Sequence, residues 1–366
     1  MTEHHIAEAL ELARQSVGRS SPNPAVGAVL VRGGEVVGRG VHTWAGAKHA
    51  EILALEQAGA RARGGTLYIN LEPCCHHGRT GPCVDALIEA GVAGVVAAME
   101  DPNPKVSGQG FRRLREAGVA VEIASAYTAA AMKLNEPFVH FMRYARPLVT
   151  LKAALTLDGK IAAPDDNTGW ITSEKARLDV QQMRHESDAI LTGIGTVLAD
   201  DCQLTDRSGR ERSRPLLRIV ADSQLRIPLN SKMVMSCRND LLVVTTSAGS
   251  RERREALESR GVEVFVCDGA QGRTDLGAVV RLLTSRQYLS LMIEAGSKLN
   301  WAALEAGVVD RIFFYYAPKL LGGTQSLPVA GGAGRRSRVD AIRLRDVTVH
   351  PITREEFAVE AYVVRE

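Results

Sequence analysis

The chain of 366 residues carries almost no excess of either charge, since 45 Lys and Arg stand against 42 Asp and Glu for a formal net charge of +3. With both signs interspersed, nothing marks a surface for a polyanion, so nucleic acid is not an expected partner; a local patch for a small phosphorylated molecule would leave no trace at this level. No apolar run approaches the roughly 18 residues that a membrane span requires. Met1-Thr2-Glu3-His4-His5 lacks a basic stretch leading into an apolar one, so neither a membrane helix nor a secretory signal is expected. Cysteine is sparse and unevenly placed, at 74, 75, 83, 202, 237 and 267. That spacing argues against a disulfide framework and for metal ligation with scattered core thiols, which places the chain in a reducing cytosol. Also missing is the third glycine that would turn Gly193-Ile194-Gly195 into a Rossmann dinucleotide fingerprint.

What is present is ordinary for a globular protein, with 45% apolar and 24% charged residues, and the length suits two or three domains. Apolar residues at Ile6, Ala9, Leu10, Ala13 and Val17 predict a helix over 4–17. Strands are predicted at 26–31 and 35–41 around a Gly33-Gly34 hairpin, at 66–71 and at 92–99, with helices at 49–58, 83–90 and 110–117. This half therefore reads as mixed α/β. Residues 134–147, with Pro137, Pro147, Phe138, Phe141 and Tyr144, read as a packed connection between domains spanning 1–145 and 146–366. Beyond it, strands near 148–154, 189–192, 216–221, 241–246, 262–266, 288–294 and 311–317 alternate with helices at 174–186, 251–260, 275–286 and 298–306. Repeated βα units predict a mostly parallel sheet with helices on both faces, and the alternation Phe357, Val359, Ala361, Val363 predicts a final antiparallel strand.

Chemistry concentrates in His49-Ala50-Glu51 and in Glu72-Pro73-Cys74-Cys75-His76-His77-Gly78-Arg79-Thr80-Gly81-Pro82-Cys83. A neutral imidazole and two thiolates hold Zn²⁺ while leaving a fourth position open, the mark of a catalytic site, so His49, Cys74 and Cys83 are the expected ligands. A carboxylate beside the metal's water relays a proton to a leaving amine, the role expected of Glu51 in this His-x-Glu…Pro-Cys…Cys pattern of zinc nucleobase deaminases. Eight residues separate the two cysteines where that pattern has two. Both segments open helices, where the positive dipole end favours thiolate. His76 or His77 as a fourth ligand would instead make a closed, structural site.

With these residues in hand, the whole chain resembles the bifunctional riboflavin-biosynthesis deaminase/reductases of bacteria. The long Pro-Cys…Pro-Cys loop distinguishes that family from cytidine and tRNA-adenosine deaminases. The resemblance implies a cytidine-deaminase-like domain holding one Zn²⁺, with Asn23, His42, Arg79 and Asn103 as substrate contacts. In the second half it is carried by Leu151-Lys152, Leu157-Asp158-Gly159, Gly169-Trp170-Ile171-Thr172-Ser173, Thr196–Asp201, Leu204–Arg207, Glu294-Ala295-Gly296 and Ala317–Gly323. It implies a domain like dihydrofolate reductase that uses NADPH. Ala154, Trp170, Thr196, Asp200, Ser223 and the turn Gly296, Ser297, Lys298, Leu299, Asn300, Trp301, Ala302 would contact the cofactor. Such a strand-to-helix turn offers free N–H groups to a pyrophosphate, although taken alone it is as readily structural. Thr168, Arg184, Leu204, Arg207 and Glu294 would contact substrate, with Arg184 and Arg207 converging on its phosphate or else pairing with Glu186 or Asp206 at the surface. Cys75, Cys202-Gln203 and Ser297-Lys298 depart from the family's usual residues, and Cys75 reads as a small buried replacement for Ser. A homo-oligomer acting on a phosphorylated pyrimidine is the expected assembly.

Overall fold

The computed structural model describes residues 2–44, 47–75, 81–104, 106–165 and 168–365. The chain divides into two compact units, Met1–Arg146 with Glu211–Arg214, and Pro147–Arg210 with Pro215–Glu366.

The first unit runs α1 (Thr2–Arg14), β1 (Gly27–Arg32), β2 (Glu35–Val41), α2 (Ala50–Ala58), β3 (Thr66–Ile69), α3 (Cys83–Ala90), β4 (Gly94–Ala97), α4 (Gln109–Glu116), β5 (Ala120–Ile123), α5 (Thr128–Leu134) and α6 (Glu136–Tyr144). Its five strands lie in the order β2-β1-β3-β4-β5. β1 is antiparallel to β2 and β3, whereas β3, β4 and β5 are parallel, so the sheet is mixed as expected. The hairpin turns at Gly33 and Gly34, whose φ of 58° and 84° lie in the left-handed region that a two-residue turn needs. α2 lies unusually close to β2. A Cβ on Gly38 or Gly40 would come within 2.1 Å of the Ala54 carbonyl or 1.9 Å of the Ala50 carbonyl. Ala50, Ala54 and Ala58 recur every four residues along the face that meets the sheet, and all three are buried. Small residues on both sides therefore seat the helix backbone against the strand and fix where its first turn points.

The second unit runs β6 (Leu148–Thr156), β7 (Lys160–Ala162), α7 (Glu174–Glu186), β8 (Ala189–Gly193), α8 (Ile194–Asp200), β9 (Leu217–Ala221), α9 (Lys232–Met235), β10 (Leu241–Thr245), α10 (Arg251–Glu258), β11 (Glu263–Val266), α11 (Leu276–Ser285), β12 (Ser290–Glu294), α12 (Ser297–Glu305), β13 (Arg311–Ala317), β14 (Leu327–Pro328), β15 (Leu344–Pro351) and β16 (Phe357–Val363). Nine strands form one sheet in the order β11-β10-β9-β8-β12-β6-β13-β16-β15, parallel from β11 through β13 and antiparallel at β16 and β15. Strand residues alternate between two cores. Leu191, Ile219, Leu242 and Ile293 pack with Val279, Leu283 and Ala303 of α11 and α12; Ile190, Val220, Val243 and Met292 pack with Val197, Val234 and Leu257 of α8, α9 and α10. Both faces are thus helix-covered, as near-continuous apolar strands require.

Three readings need correction. Residues 134–147 are largely helical: Pro137 falls in the first turn of α6, where a missing N–H costs nothing. Tyr144 is 63% exposed rather than buried, while Phe138 is in the core. The short β5 and β7, helices α5, α8 and α9, and strand β15 were not anticipated; β15 is exposed along nearly its whole length and so lacks the alternation that reveals a strand.

Candidate functional site

In the first unit, His49 is the residue capping α2, with extended backbone (φ −69°, ψ 158°), and Cys83 is the first residue of α3. Cys74 lies in the loop that leaves β3. The Cys83 N–H donates to its sulfur at 3.4 Å, and the Val84 N–H donates to its carbonyl at 3.2 Å. His49 Nδ1 is 3.2 Å from Cys83 Sγ and 3.5 Å from Cys74 Sγ, and the three donor atoms all lie within 4.8 Å of one another. A tetrahedral zinc with N and S ligands at about 2.0 and 2.3 Å spaces such atoms roughly 3.5 Å apart, so this donor set fits the ion in both chemistry and separation. Hydrogen bonding from the Cys83 side chain, and then from His49, holds Cys74 down at about 4; the same bond and burial push the Cys83 thiol up.

Glu51 follows in the first turn of α2 and is buried. Burial, with the nearby Cys74 sulfur, raises its carboxyl to about 7, where it takes up and releases protons near neutrality. His42 is buried and neutral by construction. Its Nδ1 donates to the Lys48 carbonyl at 3.1 Å, leaving Nε2 to accept from Asn23 Nδ2 at 2.9 Å, and burial lowers its pKa. Its ring meets that of His49 edge-on at 5.1 Å. The structure thus gathers Asn23, His42, His49, Glu51, Cys74 and Cys83. Asn103 sits in the loop after β4, where its N–H bonds Asp101 Oδ1 at 2.8 Å. Arg79, His76 and His77 lie outside the described residues. Cys75 is half-buried against the core, as a replacement for Ser would be.

The second unit places its candidates at the carboxyl ends of parallel strands. β12 enters the sheet between β8 and β6, so the strand order switches direction there, the usual ligand position in open α/β sheets. Glu294 ends β12 and Gly296 caps α12. A Cβ on Gly296 would meet Thr196 Oγ1 at 3.6 Å, and one on Gly193 would meet Leu299 Cδ2 at 3.4 Å, so the openings of α8 and α12 adjoin. Among the described residues, the buried Ser297 Oγ, Asn300 Oδ1 and Trp301 Nε1 have no hydrogen-bond partner. The Ser297 hydroxyl and the Trp301 N–H are donors beside a helix N-terminus, which fits a phosphate-bearing nucleotide, whereas the Asn300 carbonyl oxygen, an acceptor, calls for a donor. Ala154 lies half-buried on β6, Ser223 follows β9 with its carbonyl taken by Thr246 Oγ1 at 2.8 Å, and Asp200 ends α8. Trp170 is exposed under the Arg177 guanidinium at 4.8 Å, and Thr168 and Lys298 are exposed too. Asn300 Nδ2 donates to the Val329 carbonyl at 2.7 Å.

Arg184 is held by partners within the unit. Its Nε and Nη2 donate to Glu294 Oε2 at 3.1 and 2.9 Å, and Nη1 donates to the Thr205 carbonyl at 3.1 Å. The guanidinium expected to face a phosphate donates to Glu294, and Asp206 lies 2.9 Å from His185 Nδ1. Lys152 Nζ reaches the other oxygen, Glu294 Oε1, at 3.1 Å. Burial would raise Glu294, but Lys152 and Arg184 outweigh it and hold the carboxyl at about 2. Arg207 is exposed, and its backbone N–H bonds Gln181 Oε1 at 2.9 Å. Leu204 is buried with φ at 51°, a left-handed conformation that costs a branched side chain energy and marks a specially shaped loop. Lys152 and His185 were missed as members of this cluster. A lysine amid an otherwise apolar strand was the available signal for the first.

Comparison with known proteins covers both units. Residues 1–99 match the cytidine and deoxycytidylate deaminase zinc-binding region, and residues 147–355 match the RibD C-terminal domain. The riboflavin biosynthesis protein RibD of Actinobacillus pleuropneumoniae is 42% identical over 341 residues, covering 93% of this chain and 90% of the relative. That of Escherichia coli (strain K12) is 43% identical over 331 residues, 87% and 88% of the two chains. Among solved structures, Acinetobacter baumannii RibD superposes with a TM-score of 0.87 at 35% identity, covering 100% of this chain and 99% of that one. A Thermotoga maritima protein described as a diaminohydroxyphosphoribosylaminopyrimidine deaminase/5-amino-6-(5-phosphoribosylamino)uracil reductase superposes with a TM-score of 0.82 at 33% identity, covering 99% of each chain. A conserved length, two matching domains and a donor set suited to zinc lead to one conclusion: the chain belongs to the RibD family of riboflavin-biosynthesis enzymes, which couple a zinc-dependent deaminase to a nicotinamide-dependent reductase.

Proposed function

We propose that the first domain, residues 1–145, deaminates 2,5-diamino-6-(5-phosphoribosylamino)pyrimidin-4(3H)-one to 5-amino-6-(5-phosphoribosylamino)uracil, and that the second, residues 146–366, reduces the ribosyl group to ribityl with NADPH. The observation that carries the reading is the convergence of His49 Nδ1, Cys74 Sγ and Cys83 Sγ beside the buried Glu51.

His49, Cys74 and Cys83 would hold one zinc ion per chain. Zinc bound there supplies Lewis-acid activation of water for attack on the amino-bearing ring carbon. Glu51 accepts the proton that this water releases and delivers it to the departing ammonia, a relay suited to a carboxyl lifted to about 7. His42, locked as the neutral tautomer between Asn23 and the Lys48 carbonyl, and Asn103 and Arg79 orient the pyrimidine and its phosphorylated ribose.

In the second step the hydride comes from a nicotinamide cofactor, here NADPH. The opening turns of α8 and α12, with Thr196, Asp200, Ser223 and Gly296 through Ala302, bind it; Ala154 and Trp170 flank it. Thr168, Leu204 and Arg207 hold the substrate, and Glu294 offers the sugar a carboxylate immobilised by Lys152 and Arg184. Arg184 acts through Glu294, so Arg207 is left to face the phosphate. Working as a homo-oligomer in a reducing cytosol suits six free cysteines.

Incubation with the diaminopyrimidinone, with and without NADPH, followed by mass analysis tests the reading. The deaminated product should accumulate without NADPH and the ribityl product with it. A chelator should block deamination, and with it the ribityl product, while added deaminated intermediate is still reduced. An untouched diaminopyrimidinone would overturn the assignment.

A further inference from the structure

Glu72, two residues before Cys74, takes no part in the ligand set or in the proton relay, yet it is buried. Its Oε1 accepts the N–H groups of Gly110 at 2.8 Å and Phe111 at 3.2 Å, and its Oε2 accepts those of Gly108 at 2.9 Å and Asp101 at 3.1 Å. Three of these donors belong to the cap and first turn of α4, a helix start whose N–H groups have no partner within the helix. The fourth lies at the opposite end of the loop that α4 closes. One carboxylate therefore pins both ends of segment 101–111 to the strand exit that carries Cys74. The approach is close, because a Cβ on Gly110 would sit 2.3 Å from the Pro73 carbonyl and 3.1 Å from Glu72 Oε1. Between the two anchors is Asn103, shaped by the bond from its N–H to Asp101 and by its own carbonyl, which accepts from Val106 at 2.8 Å and Ser107 at 2.9 Å.

We propose that Glu72 is a positioning residue of the deaminase, one that sets the Asn103 loop against the Cys74 loop and so governs how tightly the pyrimidine is held. It does not retain the metal, and it does not move the proton. The inference rests on the substrate-binding reading of Asn103. In Glu72→Gln an NH₂ replaces one acceptor oxygen and confronts two backbone N–H groups, which releases one anchor while keeping the shape of the side chain.

The test uses the full-length, zinc-loaded chain and steady-state deamination of the diaminopyrimidinone, with zinc content and reductase turnover on the deaminated intermediate measured alongside. Glu72→Gln should raise KM roughly 10-fold with kcat within about threefold, zinc content and reductase turnover unchanged. Asn103→Ala should add less than about twofold to KM in the Glu72→Gln background, because both changes then act through one loop. Gly110→Ala, which wedges α4 away from Pro73, should reproduce the rise in KM and serves in place of Glu72→Gln if that variant does not fold. Loss of zinc, a fall in kcat at constant KM, or additive effects of Glu72→Gln and Asn103→Ala would overturn the inference. A wild-type enzyme that leaves the pyrimidine untouched would refute the functional reading and the inference together; an active wild type beside a variant of unchanged KM would refute the inference alone.

Discussion

The two sites are built on opposite plans. In the first, one imidazole and one sulfur at helix openings and a second sulfur from a loop converge within 4.8 Å. In the second, side chains arrive from strands, loops and helices spread over residues 152 to 302, with Lys152, Glu294 and Arg184 bonded to one another. A donor set of three concentrates function in a few atoms, whereas a crevice built from many strand ends divides it into small shares. Damage should therefore be abrupt in one and graded in the other.

The sharpest test is removal of a sulfur. Cys74→Ser or Cys83→Ser should empty the metal site and abolish deamination, with reduction of the deaminated intermediate intact; Cys237→Ser should do neither. Zinc analysis beside the two assays checks this, and loss of both activities would break the contrast. Next in size is Glu51→Gln, which should keep zinc and lose deamination by roughly 10²–10⁴-fold, the scale of a general acid/base.

Graded damage should follow in the second unit. Arg207→Ala should lower kcat/KM for the phosphorylated intermediate by roughly 10–100-fold, while the dephosphorylated analogue changes little. Arg184→Ala should instead affect both substrates alike and lower the melting temperature, since it strips the half-buried Glu294 carboxylate of two hydrogen bonds to Oε2. Equal behaviour of the two arginines would mean that Arg184 also binds the phosphate.

The smallest effect is in pH. Glu294 is held at about 2 against an ordinary 4.5, so its contribution to stability is fully present above 4.5 and is lost as pH falls through 2. Melting temperatures of wild type should therefore decline across that interval, and Glu294→Gln should flatten that part of the decline. An unchanged slope would show that the cluster does not anchor the unit.

How much of this was legible beforehand tracks the range of the interactions. The hairpin glycines and α7 follow from neighbours in the chain, and they were read correctly; the expected donors His49, Cys74 and Cys83 come together across 25 to 34 positions and were legible because two short motifs flag them. Pro137 misled because proline ends a helix in its interior yet starts one in its first turn, and only burial tells these apart. β15 hid because it borrows its order from β16 rather than from an apolar face. The contact between Arg184 and Glu294 was not anticipated. It joins residues 110 positions apart, a distance over which spacing carries no information.

The position of β12 also has a temporal side. Residues Ser290–Glu294 fill the slot between β8, at residues 189–193, and β6, at 148–156. On the ribosome the five-stranded sheet of the first unit is fully synthesised at residue 123, but β6 and β8 must wait for almost 100 further residues with their facing edges unpaired. Such edges recruit strands from other chains. Nascent chains arrested before residue 290 should therefore aggregate through the second unit more than chains that extend past β13, which pairs the other edge of β6.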